Sequence, residues 1–159
     1  YEVIIPENTL AGSFWSVVMV EPVDDIVPSN AKGGIQLKTV IRYSIQIITT
    51  NEKPANALLT FDDINFKKIE GKQFLELVIS NNGELFHTVE ASIELFDSKD
   101  GSKKGTLKSD LLRLLPNNSK LFKIDLSSIP PGKYNASILA NSAEDHVFGI
   151  NIELKIPNE

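Results

Sequence analysis

Two histidines and three pairs of neighbouring carboxylates are the residues of this chain that could carry proton transfer or hold a metal. His87 and His146 stand 59 positions apart with no third ligand at a metal-binding spacing, so surface histidines explain them better than a metal site does. Asp24-Asp25, Asp62-Asp63 and Glu144-Asp145 are adjacent in sequence. On a strand, adjacent side chains point to opposite faces, so such pairs do not converge on one proton or one ion. Asp24-Asp25, in a loop, could contribute to a calcium site, although solvated loop charge is the simpler reading. No Gly-x-Ser-x-Gly, phosphate loop or Ser/His/Asp set occurs, and Lys32-Gly33-Gly34 reads as a hairpin turn. Asn117-Asn118-Ser119 and Asn135-Ala136-Ser137 match the glycan acceptor pattern, the second inside an expected strand. Phe14 and Trp15 could form a carbohydrate platform, but their apolar surroundings favour core packing. The reading is therefore of no enzyme, no metal and no cofactor.

Composition narrows the remaining classes. The 159 residues are 42% hydrophobic and 23% charged, ordinary values for a globular chain, and no apolar run reaches the roughly 20 residues that span a bilayer. A net charge of −5 argues against a phosphate-binding surface, so nucleic acid is not an expected partner. With no cysteine there is no disulfide framework. The first residue is Tyr1, which points to a chain processed or cut from a longer one.

The elements that would position any site are strands, and two of them repeat. Gly12-Ser13-Phe14-Trp15-Ser16-Val17-Val18 returns as Gly132-Lys133-Tyr134-Asn135-Ala136-Ser137-Ile138. Each copy follows a proline, opens on Gly-x-aromatic and leads to an alternating apolar strand: Ile35 to Ile48 in the first case, Val147 to Ile156 in the second. Each copy reads as the last two strands of an immunoglobulin-like sandwich. A short strand at residues 1–5 and a strand Phe14–Glu21 with apolar residues on both faces precede a long loop, Val23 to Gly34. Downstream, seven strands are expected: Leu58–Lys67, Gln73–Ser80, Thr88–Asp97, Thr106–Leu115, Lys120–Leu126, Lys133–Ala140 and Val147–Ile156. Leu111, Leu112, Leu114 and Leu115 could also sit on a short helix before Pro116, but Lys108–Leu115 is read as strand or irregular. Asn81-Asn82-Gly83 and Ser98-Lys99-Asp100-Gly101 supply residues that tolerate positive φ. The expected core is Leu75/Leu77/Ile79, Val89/Ala91/Ile93/Leu95, Phe122/Ile124, Tyr134/Ala136/Ile138 and Phe148/Ile150/Ile152/Leu154/Ile156.

The fold class is thus all-β, an immunoglobulin-like seven-stranded sandwich preceded by a β-hairpin from a partial immunoglobulin-like domain. Residues 1–50 form that hairpin, 51–56 a linker and 57–157 the complete sandwich. The stripe Ile35, Leu37, Ile41, Tyr43, Ile45 and Ile47 on the second hairpin strand is the candidate binding surface. If the other strands of its half-domain are missing, a partner strand would cover it; if they precede it in a longer protein, they would.

The order Gly12-x-Phe14-Trp15-Ser16-Val17-Val18-Met19-Val20-Glu21-Pro22, a loop, then Ile35-Gln36-Leu37 and Ile41-Arg42-Tyr43-Ser44-Ile45 resembles the final hairpin of the first domain in bacterial periplasmic pilus-assembly chaperones. It is also similar to the tandem sandwich proteins of Gram-positive surfaces that interact with WxL-domain partners. The resemblance covers about residues 6–50 and implies an exported protein, periplasmic or extracellular, that lends an alternating apolar strand to a protein partner. Gln46 stands where the chaperones place a lysine for the subunit's terminal carboxylate, and Thr49-Thr50 replaces their Arg-Pro exit. The expectation is a protein partner captured through an exposed strand edge, with a possible homodimer through residues 1–50. An adhesive or scaffolding surface module that binds protein or glycan is the alternative.

Overall fold

The computed structural model describes residues 2–23, 39–51, 57–142 and 146–157, and among them every regular element is a strand. The chain divides into two compact units, one of residues 1–13 with 50–159 and one of residues 14–49.

The larger unit contains the immunoglobulin-like sandwich. Labelling the strands in chain order, β3 (Leu59–Ile69), β4 (Lys72–Asn81) and β7 (Asn118–Asp125) form one antiparallel sheet in the order β3-β4-β7. β5 (His87–Asp97), β6 (Lys103–Leu114), β8 (Gly132–Ser142) and β9 (Val147–Ile156) form the other, in the order β6-β5-β8-β9. The chain therefore crosses between layers three times, from β4 to β5, from β6 to β7 and from β7 to β8, so β4 pairs with β7 and β5 with β8, and the closure links strands distant in sequence.

Alternation produces this sandwich. Leu75, Leu77 and Ile79 of β4, Val89, Ala91, Ile93 and Leu95 of β5, Phe122 and Ile124 of β7, and Tyr134, Ala136 and Ile138 of β8 are buried in one cluster, as their period of two predicts. Fully burying a side chain of this size contributes about 1.5–3 kcal/mol, so this cluster dominates the stability of the unit. β9 departs from its expected pattern. Leu154 and Ile156 are buried, but Phe148 and Ile152 are only partly covered and Ile150 is exposed. The four-stranded sheet is one strand wider than the sheet it faces, so its edge strand is only half roofed.

Two local expectations are corrected, and the strand expected over Thr106–Leu115 is found. Residues 2–5 of the strand expected at 1–5 form none, and among the described residues no strand pairs with them. The segment around Lys108–Leu115 is strand, with Leu114 in the core and Leu111 facing out. His87 is 0% exposed rather than a surface residue, because it opens β5 on the face shared with Val89 and Ala91. Its Nδ1 lies 3.0 Å from Ser142 Oγ, and its ring stands edge-on to His146.

Turn chemistry is carried partly by residues the sequence reading passed over. Glu70 and Gly71 both take positive φ, 50° and 80°, and close the two-residue β3–β4 hairpin as a mirror-image turn. Gly101 supplies the expected positive φ, whereas Asn81-Asn82-Gly83 turns without one. There the buried Asn81 amide donates to Leu85 O at 2.6 Å and its Oδ1 accepts the Gly83 N–H at 3.0 Å.

Two polar features fix a corner and a sheet. Tyr134, near the start of β8, donates its hydroxyl to Pro130 O at 2.7 Å and bridges the corner that leads into the strand. On the outer face of β4, Glu76 lies between Lys123 at 3.0 Å and Lys67 at 3.5 Å. The hydrogen bond from Lys123, and the charge of both lysines, hold its carboxyl below the ordinary value of 4.5.

Tyr134→Phe removes the corner bond while keeping the ring, and should lower stability by about 0.5–1.5 kcal/mol, read from the urea midpoint at unchanged slope. Because the Glu76 pKa is depressed on folding, its contribution is present above the ordinary carboxyl value and fades as pH falls through the folded one. Glu76→Gln should therefore be less stable than the native chain near pH 7, with the gap narrowing on acidification below about pH 4 in denaturant titrations.

Candidate functional site: a charge-free two-stranded ribbon

The first two strands, β1 (Gly12–Val20) and β2 (Tyr43–Asn51), form a two-stranded sheet of their own. Their register follows from two side-chain contacts: Ser13 Oγ lies 2.9 Å from Thr50 Oγ1, and Arg42 Nε donates to Glu21 Oε2 at 2.6 Å. Both contacts place residues whose numbers sum to 63 opposite each other, as do the matched strand ends Gly12 with Asn51 and Val20 with Tyr43. The pair is antiparallel.

This register sorts the side chains onto two faces. Phe14, Ser16, Val18 and Val20 share a face with Thr49, Ile47, Ile45 and Tyr43. Ser13, Trp15, Val17 and Met19 share the other with Thr50, Ile48, Gln46 and Ser44. The first face carries the expected binding stripe and joins it to apolar residues of β1.

The six residues proposed from sequence divide as follows. Tyr43, Ile45 and Ile47 lie in β2 on that face, with Tyr43 61% and Ile45 47% exposed and Ile47 partly buried. Ile41 is 60% exposed but precedes the strand. The expected strand Ile35–Ile48 is replaced over its described part by Tyr43–Asn51, because the register sets Ile41 opposite Pro22, which has no N–H to give and lies beyond the end of β1. Ile35 and Leu37 lie outside the described residues, as do Lys32-Gly33-Gly34, Asp24-Asp25, Glu144-Asp145 and positions 52–56 of the expected linker.

Phe14 and Trp15, expected in a core, are both exposed, Trp15 to 53%. Val17, Val18, Met19 and Val20 are exposed beside them. Neither ribbon strand contains a charged residue, whereas each of the seven sandwich strands contains at least one. Charges on edge strands oppose unwanted pairing, and among the described strands these two alone lack them. The apolar stripe on the second strand is legible in the sequence, and the absence of charge from both strands together is a second signal there.

The opening of β1 is held by the sandwich unit. Gly12 has φ 127°, and a Cβ there would come within 3.1 Å of Glu84 O, so the position requires glycine twice over. Ser13 N–H donates to Glu84 O at 2.8 Å, and Ser13 Oγ accepts the Phe86 N–H at 2.9 Å. Since Ser13 N–H points away from β2, the backbone groups of Trp15, Val17 and Met19 also point to the free edge of β1, and those of Phe14, Ser16 and Val18 point to β2.

Elsewhere the carboxylates serve the fold. Asp62 occupies a bulge in β3 and accepts from Thr60 at 2.9 Å and from Ser80, which in turn lies 2.6 Å from Ser119. Asp63 instead accepts from Asn65 at 2.7 Å, so the two neighbours act separately. Among the described residues no group of three or more His, Cys, Asp or Glu side chains could hold a metal ion, and no helix is long and apolar enough to cross a membrane.

Ser13→Ala leaves the Phe86 N–H without its hydroxyl acceptor and should cost about 1–3 kcal/mol at that site. Amide exchange at Phe86 should accelerate markedly while the exchange of Leu77 and Ile93, deep in the sandwich, stays near that of the native chain. No protein-family profile matches the chain and no curated protein matches it, so its functional reading rests on the ribbon.

Proposed function

We propose that this is a non-enzymatic, exported, chaperone-like or assembly protein that binds a protein partner through β-strand pairing and apolar burial on the ribbon. The observation that carries this reading is the pairing of exposed apolar side chains with uncharged strands in a sheet of only two members. An isolated two-stranded ribbon is marginal in water, and a third strand with a matching apolar face completes it. The partner strand would run along the free edge of β2 and cover Ile41, Tyr43, Ile45 and Ile47, with Phe14, Val18 and Val20 continuing the same face. A periplasmic or extracellular location is part of this proposal and rests on the hairpin's resemblance to exported assembly proteins.

One observation bears on the glycan-binding alternative. Trp15 and Tyr43 are both more than half exposed, as such a platform needs. The register nevertheless sets them on opposite faces of the ribbon, so the two rings do not converge on one sugar.

A synthetic uncharged nonapeptide with isoleucine at alternate positions serves as probe, labelled for fluorescence anisotropy. It should bind the native chain and bind Ile45→Asp at least roughly tenfold more weakly, because a carboxylate would have to be buried against the peptide. The thermal unfolding of the sandwich should be the same in both proteins. Equal binding by Ile45→Asp, or no binding by the native chain, rejects the proposal.

A further inference from the structure

The partner strand assigned above uses the edge of β2 and leaves the edge of β1 unexplained. We propose that a second copy of this chain occupies it, with the two β1 strands pairing antiparallel across a two-fold axis to give a continuous sheet in the order β2-β1-β1′-β2′.

The sandwich of the same chain shows what a strand of this kind needs. β1 and β8 are the two strands that open on Gly-x-aromatic, each begins at its glycine, and each is followed by its antiparallel hairpin partner. β8 is central, with β9 on one edge and β5 antiparallel on the other. β1 has only β2 among the described residues. Aligned on the glycines, the outer face of β8 carries Lys133, Asn135 and Ser137, while that of β1 carries Ser13, Trp15 and Val17. β1 is thus apolar on both faces, as interior strands are, yet among the described residues no strand lies on its second edge.

A second copy fits that edge on three counts. First, a net charge of −5 would oppose association, but neither β1 nor β2 contributes to it, so the approach of two ribbons brings no like charges face to face. Second, only a register in which paired residue numbers sum to an even value keeps matched side chains on one face across a two-fold axis. A sum of 30 sets Ser13 against Val17, and since the Ser13 N–H is already given to Glu84 O it leaves only Trp15 against its own copy fully bonded, whereas a sum of 32 forgoes Ser13 against Met19 and keeps two Trp15–Val17 pairs. A sum of 34 sets the Ser16 hydroxyl against Val18. A sum of 32 sets Trp15 against Val17, Phe14 against Val18 and Ser16 against its own copy, which pairs each aromatic with a β-branched residue and the hydroxyls with each other. Third, the backbone groups of Trp15 and Val17 are the ones that point to this edge, so each Trp15–Val17 pair can exchange two N–H···O bonds. The product has four strands, above the number at which a sheet becomes stable by itself.

Sedimentation velocity of the full chain over a range of concentrations should show a reversible dimer. Val17→Pro removes an edge-directed N–H without touching the ladder to β2 and should weaken the dimer by at least about tenfold. Ser16→Cys is the sharper test, since the chain has no cysteine and the two-fold axis passes between the Ser16 residues. Opposed residues of a non-hydrogen-bonded pair stand about 4.5–5.5 Å apart at Cα and Cβ, within disulfide range. Mild oxidation should convert Ser16→Cys to a reducible dimer and leave Val18→Cys, opposite Phe14 of the other copy, largely uncrosslinked. A native chain that is monomeric at every concentration overturns the proposal. So does a dimer in which both cysteine variants crosslink alike or Val17→Pro associates as the native chain does. Binding of the isoleucine nonapeptide to a monomeric chain, abolished by Val17→Pro, would instead assign this edge to a foreign strand. Ile45→Asp lies outside the β1 edge, so loss of peptide binding and loss of the dimer are read separately.

Discussion

A β-strand with apolar side chains on both faces needs a covering layer above and below, and each of its edges needs hydrogen-bond partners. The sandwich meets this requirement internally. Its two sheets cover one another, the two interior strands β5 and β8 are paired on both sides, and β4 is flanked by β3 and β7. The ribbon β1–β2 meets it only in part, because its two strands satisfy one edge of each other and cover neither face. The functional reading of the molecule depends on that difference.

Edge management separates the two regions just as clearly. The outer strands of the sandwich, β3, β7, β6 and β9, carry lysines and carboxylates that discourage a neighbour from adding on. Several of these charges are paired across strands, as in Lys103 with Glu94 at 2.6 Å and Lys108 with Glu90 at 2.7 Å. Exposed pairs of this kind contribute little to stability, so their value lies in keeping the edges wet and the register fixed. The ribbon has none of this protection along its paired length; the ion pair of Arg42 with Glu21 sits past the strand ends.

Most of the sandwich was legible in the residues because its signal is local. A period of two over Leu75–Ile79, Val89–Leu95 and Tyr134–Ile138 names both the strand and its buried face. Expectations failed where the outcome depended on neighbours. Ile150 keeps the apolar period of β9 and is still exposed, since the opposing sheet ends before reaching it. His87 is chemically suited to a surface and is nonetheless buried, since it falls in phase with the core face of β5. The second ribbon strand starts at Tyr43 rather than Ile35 across the described residues, since its length is set by where β1 begins and ends and by Pro22.

The chain by itself determined the all-β class, the seven sandwich strands, the inward residues of β4, β5, β7 and β8 and the duplicated Gly-x-aromatic hairpin, because alternation and turn residues act over a few positions. Only the tertiary structure decided which strands became neighbours, that β4 pairs with β7 and β5 with β8, and that Phe14, Val18 and Val20 share a face with Tyr43, Ile45 and Ile47. It also decided that Trp15 lies in the open. Pairing and exposure are set by the backbone partners available across space, and an alternating pattern is the same whether a layer covers it or not.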